Sequence, residues 1–497
     1  MKVYSFWRVY ALCGFLGLGG FMYELDSGVI SAMLISKKFH HTFHWQGKPI
    51  AAALISVPLA AAGIICFLSG AVADKIGRRR FLMMACIVHI VGVILQLAIH
   101  TVPSFLAGKV IAGFSTGMYS VVCPLYQSEV SLPNHRGRLI TMHQFGVTLG
   151  FCAAFWSAYA CLSSTWPDSW SIPVALQILP PILMLAGLFL FIPESPRWLI
   201  YQNRHAEAKR ILQKLRAKED TDDLELSMEY IGIIQERNYD QNFTSKSYAN
   251  LLSKGIDNNR GRTILGVGLH MMTQLTGINA ILFYLPYILE STGSTRLESA
   301  MLGNGVSSMV NMLATIPSFF YVDRWGRRRI LMCGSLSMAS CMIIIAALQG
   351  AFSTKVYDYK PHVLPGTIFP FATSMTNDTA AFIILVFLCL FLGCFALSWG
   401  SMGWIYPAEI YPQSIRAKGL GVTTGASYAM SLCVSQVAPI MFKELSWGTY
   451  LFFGAVCLTQ IYIVHRWYPE TRVSCVCGVF VLVRKKDRFN EPPFYVG

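Results

Sequence analysis

The sequence predicts an all-α membrane protein, with twelve transmembrane helices in two pseudo-symmetric six-helix bundles. Three observations predict it. The chain is 54% hydrophobic and 13% charged, about half the charged share of an ordinary soluble domain. About twelve apolar runs reach the roughly 20 residues that a bilayer crossing takes. One short charged stretch occurs twice, half a chain apart: Asp74-Lys75-Ile76-Gly77-Arg78-Arg79-Arg80 and Asp323-Arg324-Trp325-Gly326-Arg327-Arg328-Arg329. Each copy joins two apolar runs. Its glycine permits a tight turn. Its arginines cannot enter a bilayer core cheaply, so they hold the turn on one side. Aspartate, glycine and three arginines all keep register, which marks a duplicated unit.

The apolar runs lie at about 9–34, 50–73, 81–100, 104–126, 138–161 and 171–192, then at about 263–290, 299–322, 330–352, 380–405, 418–442 and 447–467. They give an N-terminal bundle over 1–192 and a C-terminal bundle over 263–472. The linker, 193–262, is rich in both signs of charge. Its Ala206-Glu207-Ala208-Lys209-Arg210-Ile211-Leu212 has the spacing of an amphipathic helix. Basic loops at 74–80, 135–138, 197–218, 324–329 and 416–418 then share one side. By the positive-inside rule that side is the cytosol, and both termini lie there. Gly113-x3-Gly117 lets the fourth helix approach a neighbour closely.

Other signals exclude more than they assign. The net charge of +14 reads as topology, not as nucleic-acid binding. The first apolar run is long and lacks a small-residue cleavage site, so no detached signal peptide is expected. Fourteen cysteines are scattered through apolar runs and form no disulfide framework; Cys475-x-Cys477 alone is weak grounds for a metal. His40-His41-x-x-His44 has no acidic or thiol partner nearby and reads as a solvated loop. No nucleotide-binding loop or nucleophile–base pair is present, so neither an enzyme nor a cofactor is implied. Asn377-Asp378-Thr379 is a glycosylation sequon on the external side, very near a helix; Asn242-Phe243-Thr244 falls on the cytosolic side and is disregarded.

Charged groups at the membrane boundary form a repeated set. Glu129-x6-Arg136 recurs as Glu409-x6-Arg416. Both glutamates fall at helix ends where the hairpin arginines can meet them, and a charge at a membrane boundary is best kept paired. Glu194 and Glu470, each just past the last helix of a half, can join. Deeper in the spans, Gln144, Gln274, Asn279 and Asn311 are amides that need partners, so they face a cavity or another helix. Gly277, between Gln274 and Asn279, would ease a local helix break.

The chain resembles the sugar porters of the major facilitator superfamily, fungal members above all, from about Phe21 to Arg472. The marks are Asp26-Ser27-Gly28-Val29-Ile30-Ser31, the two Asp-x-x-Gly-Arg-Arg loops, Glu129-x6-Arg136-Gly137-Arg138 and Pro193-Glu194-Ser195-Pro196-Arg197-Trp198-Leu199. They continue with Gln274-Leu275-Thr276-Gly277-Ile278-Asn279, Trp404-x-Tyr406-Pro407-Ala408-Glu409 and Pro469-Glu470-Thr471-Arg472. The resemblance implies a multi-pass plasma-membrane transporter for a hexose or related monosaccharide, working by alternating access. It implies that Gln144, Gln274, Asn279, Asn311 and Trp404 contact the sugar. Side-chain amides can answer hydroxyls that both donate and accept, and Phe395 and Trp404 offer rings for the C–H faces of a pyranose. It favours a cytosolic gate of Asp74, Arg78, Arg79, Glu129, Arg136, Glu194, Asp323, Arg327, Arg328, Glu409, Arg416 and Glu470, closed when the protein faces outward. An aspartate inside the first helix is costly unless paired or protonated, and the resemblance pairs Asp26 with the fourth-helix cation Lys109 for proton symport.

Departures from the pattern bear on the substrate. Thr273 replaces a glutamine, Phe283 a tyrosine, Glu24-Leu25 the usual Gly-Tyr, and Lys109 an arginine. Ser427-Tyr428 and Ser431 stand for larger polar or aromatic groups, and Trp399-Gly400-Ser401-Met402-Gly403-Trp404 lacks its prolines. Two other readings follow: a sugar receptor that does not transport, and a porter for a polyol or a quinate-like polyhydroxy acid. The family pattern stops at Val473-Ser474-Cys475-Val476-Cys477, so 473–497 reads as an atypical tail from a retained intron or altered frame.

Overall fold

A computed structural model describes residues 7–33, 37–43, 48–162, 166, 168–216, 224–243, 247–254, 258–291, 297–355 and 373–471. His44, the tail with Cys475 and Cys477, and most of the connection after Lys355 lie outside these residues. Eleven helices among the described residues are long and apolar enough to cross a membrane. The remaining span is the first, which Gly17 divides into Trp7–Leu16 and Leu18–Met33. The spans that follow in the N-terminal half are Lys48–Ile76, Arg78–Ala98, Val102–Val130, Arg136–Leu162, and Ser171–Leu176 continued by Leu179–Leu190. The second half begins with Asn259–Leu275 and Ile278–Ser291, parted at Gly277, and continues with Leu297–Trp325 and Arg327–Phe352. Its tenth span, Asp378–Phe395, passes through a π-helical turn at Ala396–Gly400 into Ser401–Ile410. Gln413–Glu444 and Gly448–Trp467 complete it.

Packing repeats with the sequence. Within the first half, the first span packs on the fifth, the second on the fourth, and the third on the fourth and sixth. Within the second half the same pairs recur six spans later: seventh with eleventh, eighth with tenth, ninth with tenth and twelfth. The halves meet most extensively through two contacts that exchange under the same symmetry, second with eleventh and fifth with eighth. Residues facing away from these contacts are apolar and exposed at helical spacing, as Ile87, Val91 and Ile94 are on the third span. They would face lipid.

The linker helices lie against the hairpin-bearing end. His205–Arg216 buries Ala208, Ile211, Leu212 and Leu215 on one face. Leu224–Phe243 is tied back by Arg197 to Glu236 at 2.7 Å and by Arg216 to Glu229 at 2.6 Å. Arg216 also donates to the carbonyl of Val130, the last residue of the fourth span. At the opposite end Ser353–Lys355 pairs antiparallel with Thr373–Met375. Asn377 caps the next helix, accepting from the N–H groups of Thr379 and Ala380, so the sequon asparagine is already engaged.

Gly113 and Gly117 bring the fourth span against the second. A Cβ on Gly117 would sit 2.4 Å from the Ala62 carbonyl oxygen. Gly117→Ala should therefore destabilise the folded protein by about 1–3 kcal/mol, read as a lower melting temperature in detergent.

Candidate functional site

Two buried clusters and one central cavity concentrate the polar chemistry. In the first half the Arg78 guanidinium forks onto Glu129, with Nη2 to Oε1 at 2.7 Å and Nε to Oε2 at 3.0 Å. The same Nη2 reaches Asp74 at 2.9 Å, and Nη1 donates to the Ala73 carbonyl at 3.1 Å. Glu194 accepts the backbone N–H of Arg78 at 2.8 Å. The second half repeats this bond for bond. Arg327 forks onto Glu409 at 2.7 and 3.2 Å, reaches Asp323 at 2.9 Å and donates to Val322 at 3.0 Å, while Glu470 accepts its N–H at 2.7 Å. The hairpin glycines make this possible. Gly77 (φ 97) and Gly326 (φ 90) are left-handed, and a Cβ there would meet Glu194 or Glu470 within 2.6 Å.

Other members of the proposed gate stand differently from the expected carboxylate pairing. Arg79 donates to the carbonyls of Leu188 and Phe189, and Arg328 to that of His465. They close helix ends instead of pairing with acids, because Glu194 and Glu470 turn to the hairpin backbone. Arg136 makes no ion pair with a carboxylate among the described residues. Glu129, the acid seven positions before its motif partner, is taken by Arg78. Arg416 donates to Gln413 and to the Tyr411 carbonyl.

Contacts between halves at this end are few and specific. Gln413 Nε2 donates to Glu129 at 2.9 Å, and the Arg138 N–H donates to Asp323 at 3.0 Å. Arg138 Nε also donates to the Phe319 carbonyl at 2.9 Å. The hairpin face is closed, and each crossing carboxylate is one already fixed by an arginine of its own half.

Farther in, a cavity lies between the halves. Gln144, Gln274, Asn279, Asn311, Phe395 and Trp404 all line it. The break at Gly277 (φ 85) interrupts the seventh span between Gln274 and Asn279. Trp404 Nε1 donates to Gln144 Oε1 at 2.9 Å, which ties the tenth span to the fifth. The seventh-span amides form a chain with the eleventh span. Asn279 donates to Ser431 at 2.6 Å and to Gln274 Oε1 at 2.7 Å, and Gln274 donates to Ser427 at 2.9 Å. The serines noted as departures are therefore partners of these amides. Trp399 lies outside the cavity, with its Nε1 on Ser335 at 2.8 Å.

Asp26 and Lys109 pair at 2.6 Å, both buried. Asp26 lines a smaller neighbouring space with Tyr23 and Tyr428, not the main cavity. Two residues before it, Glu24 turns to the main cavity.

The comparisons with known proteins follow this geometry. Residues 12–475 match the family described as sugar (and other) transporter. The chain belongs to this family. It is a sugar porter of the major facilitator superfamily, with the twelve-span fold of two six-helix bundles. A glucose transporter of Aspergillus flavus is 28% identical over 482 residues, covering 95% of this chain and 88% of that one. A quinate permease of Neurospora africana is 30% identical over 480 residues, covering 94% and 87%. Among solved structures, the proton:xylose symporter XylE bound to 6-bromo-6-deoxy-D-glucose superposes with a TM-score of 0.78 at 22% identity, over 96% of this chain and 99% of that one.

Sequence reasoning missed one feature of this porter's cavity. His270 lines it and His143 packs beside it, their rings 6.0 and 4.8 Å from that of Trp404. A signal was available for His270, which stands four residues before Gln274 and so shares its helix face. His270 Nε2 and Asn311 Oδ1 are buried with no hydrogen-bond partner among the described residues. Unpaired polar atoms on a cavity wall suit a ligand that brings donors and acceptors.

Removing the arginine of one cluster tests its place in the fold. Arg327→Ala leaves Glu409 and Asp323 without their buried counter-charge and should cost about 3–5 kcal/mol. Arg327→Lys should recover only part, because lysine cannot fork onto a carboxylate. Melting temperatures of the purified variants read both.

Proposed function

We propose that the chain is a secondary transporter moving a hexose or related monosaccharide across the plasma membrane by alternating access, with the hairpin face and both termini in the cytosol. The observation that carries this reading is the central cavity, to which the two halves bring facing amides and aromatic rings: Gln144 from the first, and Gln274, Asn279, Asn311, Phe395 and Trp404 from the second. A sugar hydroxyl would pair with the free acceptor of Asn311. Trp404 and Phe395 would cover its C–H faces. The glucose transporter of Aspergillus flavus supports the sugar class.

Alternating access needs the halves to part at the cytosolic end. The arginine–carboxylate clusters of 74–129 and 323–409 each lie within one half, so they would move as rigid units. The bonds to be broken are those of Gln413 to Glu129 and of Arg138 to Asp323 and to the Phe319 carbonyl. Residues 193–262 would link the bundles 1–192 and 263–472 on the cytosolic side. A polyhydroxy acid is the second reading, favoured by the quinate permease of Neurospora africana.

Proton symport would run through Asp26 and Lys109. Their 2.6 Å pair is monodentate, and lysine, unlike arginine, can release its proton when its environment changes.

Two outcomes are expected in cells lacking their own hexose uptake. Asn311→Ala should weaken apparent substrate affinity by about 1–3 kcal/mol, roughly 5- to 150-fold. Unchanged affinity in a well-expressed variant would remove Asn311 from the site. Asp26→Asn should abolish accumulation above equilibrium while counterflow exchange survives; a parent protein that only equilibrates and ignores a protonophore would be a facilitator.

A further inference from the structure

A groove lies at the hairpin-bearing end, between the start of the first span, the end of the sixth and the linker helix His205–Arg216. Three elements each bring one cation to it: Arg8 from the first span, Arg79 from the first turn of the third, and Lys214 from the linker helix. No aspartate or glutamate is among the described residues that line it. None of the three cations pairs with a carboxylate among the described residues. Glu194, just past the sixth span, is turned to the backbone N–H groups of Arg78 and Arg79. Arg79 donates to the carbonyls of Leu188 and Phe189, and Arg8 to that of Lys214 at 2.8 Å. These bonds hold both guanidiniums in place, yet a carbonyl carries no net charge to offset theirs.

The rest of the groove is apolar and turned outward. Trp7, Phe189 and Leu190 are exposed, and Phe191 is 82% exposed. Large apolar side chains at the end of a span meet acyl chains and the bilayer boundary. A soluble anion would answer the cations and leave these rings bare. A neutral lipid would cover the rings and leave the cations unanswered. An anionic phospholipid does both, and the cytosolic leaflet, where the proposed orientation puts this end, is rich in such lipids.

We infer that this groove binds one anionic phospholipid, with its headgroup between Arg8, Arg79 and Lys214 and an acyl chain along Phe189, Leu190 and Phe191. The guanidiniums direct N–H groups at phosphate oxygens, and the lysine acts as a point charge. A lipid held by all three elements ties the linker helix to the N-terminal bundle. The inference needs the hairpin end at a bilayer boundary and does not depend on which solute the central cavity takes.

The test is a lipid titration of the purified full chain in detergent, read by native mass spectrometry. Phosphatidylserine and phosphatidylcholine are the probes. The parent should hold one phosphatidylserine roughly tenfold or more tighter than phosphatidylcholine. Arg8→Gln combined with Lys214→Gln should weaken phosphatidylserine binding roughly tenfold or more. Lys209→Gln combined with Arg210→Gln removes the same charge from exposed positions of the same helix outside the groove, and should bind as the parent does. Lys214→Gln alone, at an exposed side chain, should already weaken binding and serves where the double variant does not fold. Equal retention of the two lipids overturns the inference, as does an equal loss in the two double variants. Glycerol 3-phosphate, which has the phosphate without acyl chains, should not displace the lipid at equal concentration. Displacement would make this a site for a soluble phosphate and overturn the assignment to a lipid.

Discussion

A buried guanidinium set among carboxylates, built once in each half, is the constraint on which the rest of the molecule depends. Arg78 is 3% exposed and Arg327 is fully buried. Neither could sit there without its forked carboxylate, because an uncompensated charge in that position is far more costly than the pair. The fork fixes where the fourth span ends relative to the hairpin, and where the tenth ends in the other half. Glu194 and Glu470 then bind the hairpin backbone and fix where each bundle's last span stops. Each bundle is thereby closed on itself at one end, which lets the two halves act as bodies.

The cavity is the complement of that closure. The halves touch most extensively through second with eleventh and fifth with eighth spans, and between those contacts they leave a polar space. The amide chain from Ser431 through Asn279 and Gln274 to Ser427 keeps the broken seventh span against the eleventh. It spends some of the hydrogen-bonding capacity that a ligand could use. What stays available comes from Asn311, His270 and Glu24, on three different spans. The bond between Trp404 and Gln144 crosses from one half to the other, so a ligand that changes it would act on both bodies together.

Much of this was legible in the chain itself. Apolar run length gives the spans, because a bilayer leaves a helix few alternatives. The repeated Asp-x-x-Gly-Arg-Arg gives the two halves, since charge and a left-handed glycine are both needed at one turn. The four candidate amides share one cavity with Phe395 and Trp404, because isolated amides in hydrocarbon have few other places to face. Less legible were the partners. The meeting of Glu129 with a hairpin arginine is expected, and Arg78 supplies it; what spacing does not report is that Arg136, seven residues on, is left without a carboxylate partner among the described residues. Arg79 and Arg328 look identical to Arg78 and Arg327 in the motif, but one helical step turns them toward helix-end carbonyls. Glu24 and Asp26 sit two apart on one span; the resemblance points Asp26 at Lys109, where the pair closes at 2.6 Å, but nothing in the chain shows that Glu24 turns to the cavity.

The central claim is that one site between the halves binds a sugar and is exposed to each side in turn. Counterflow in vesicles containing the purified chain tests this most directly. With unlabelled glucose inside and a trace of labelled glucose outside, the account predicts a transient accumulation of label above its outside concentration. Label that binds the protein yet never enters the vesicle would contradict it, and would leave a receptor on a transporter's frame.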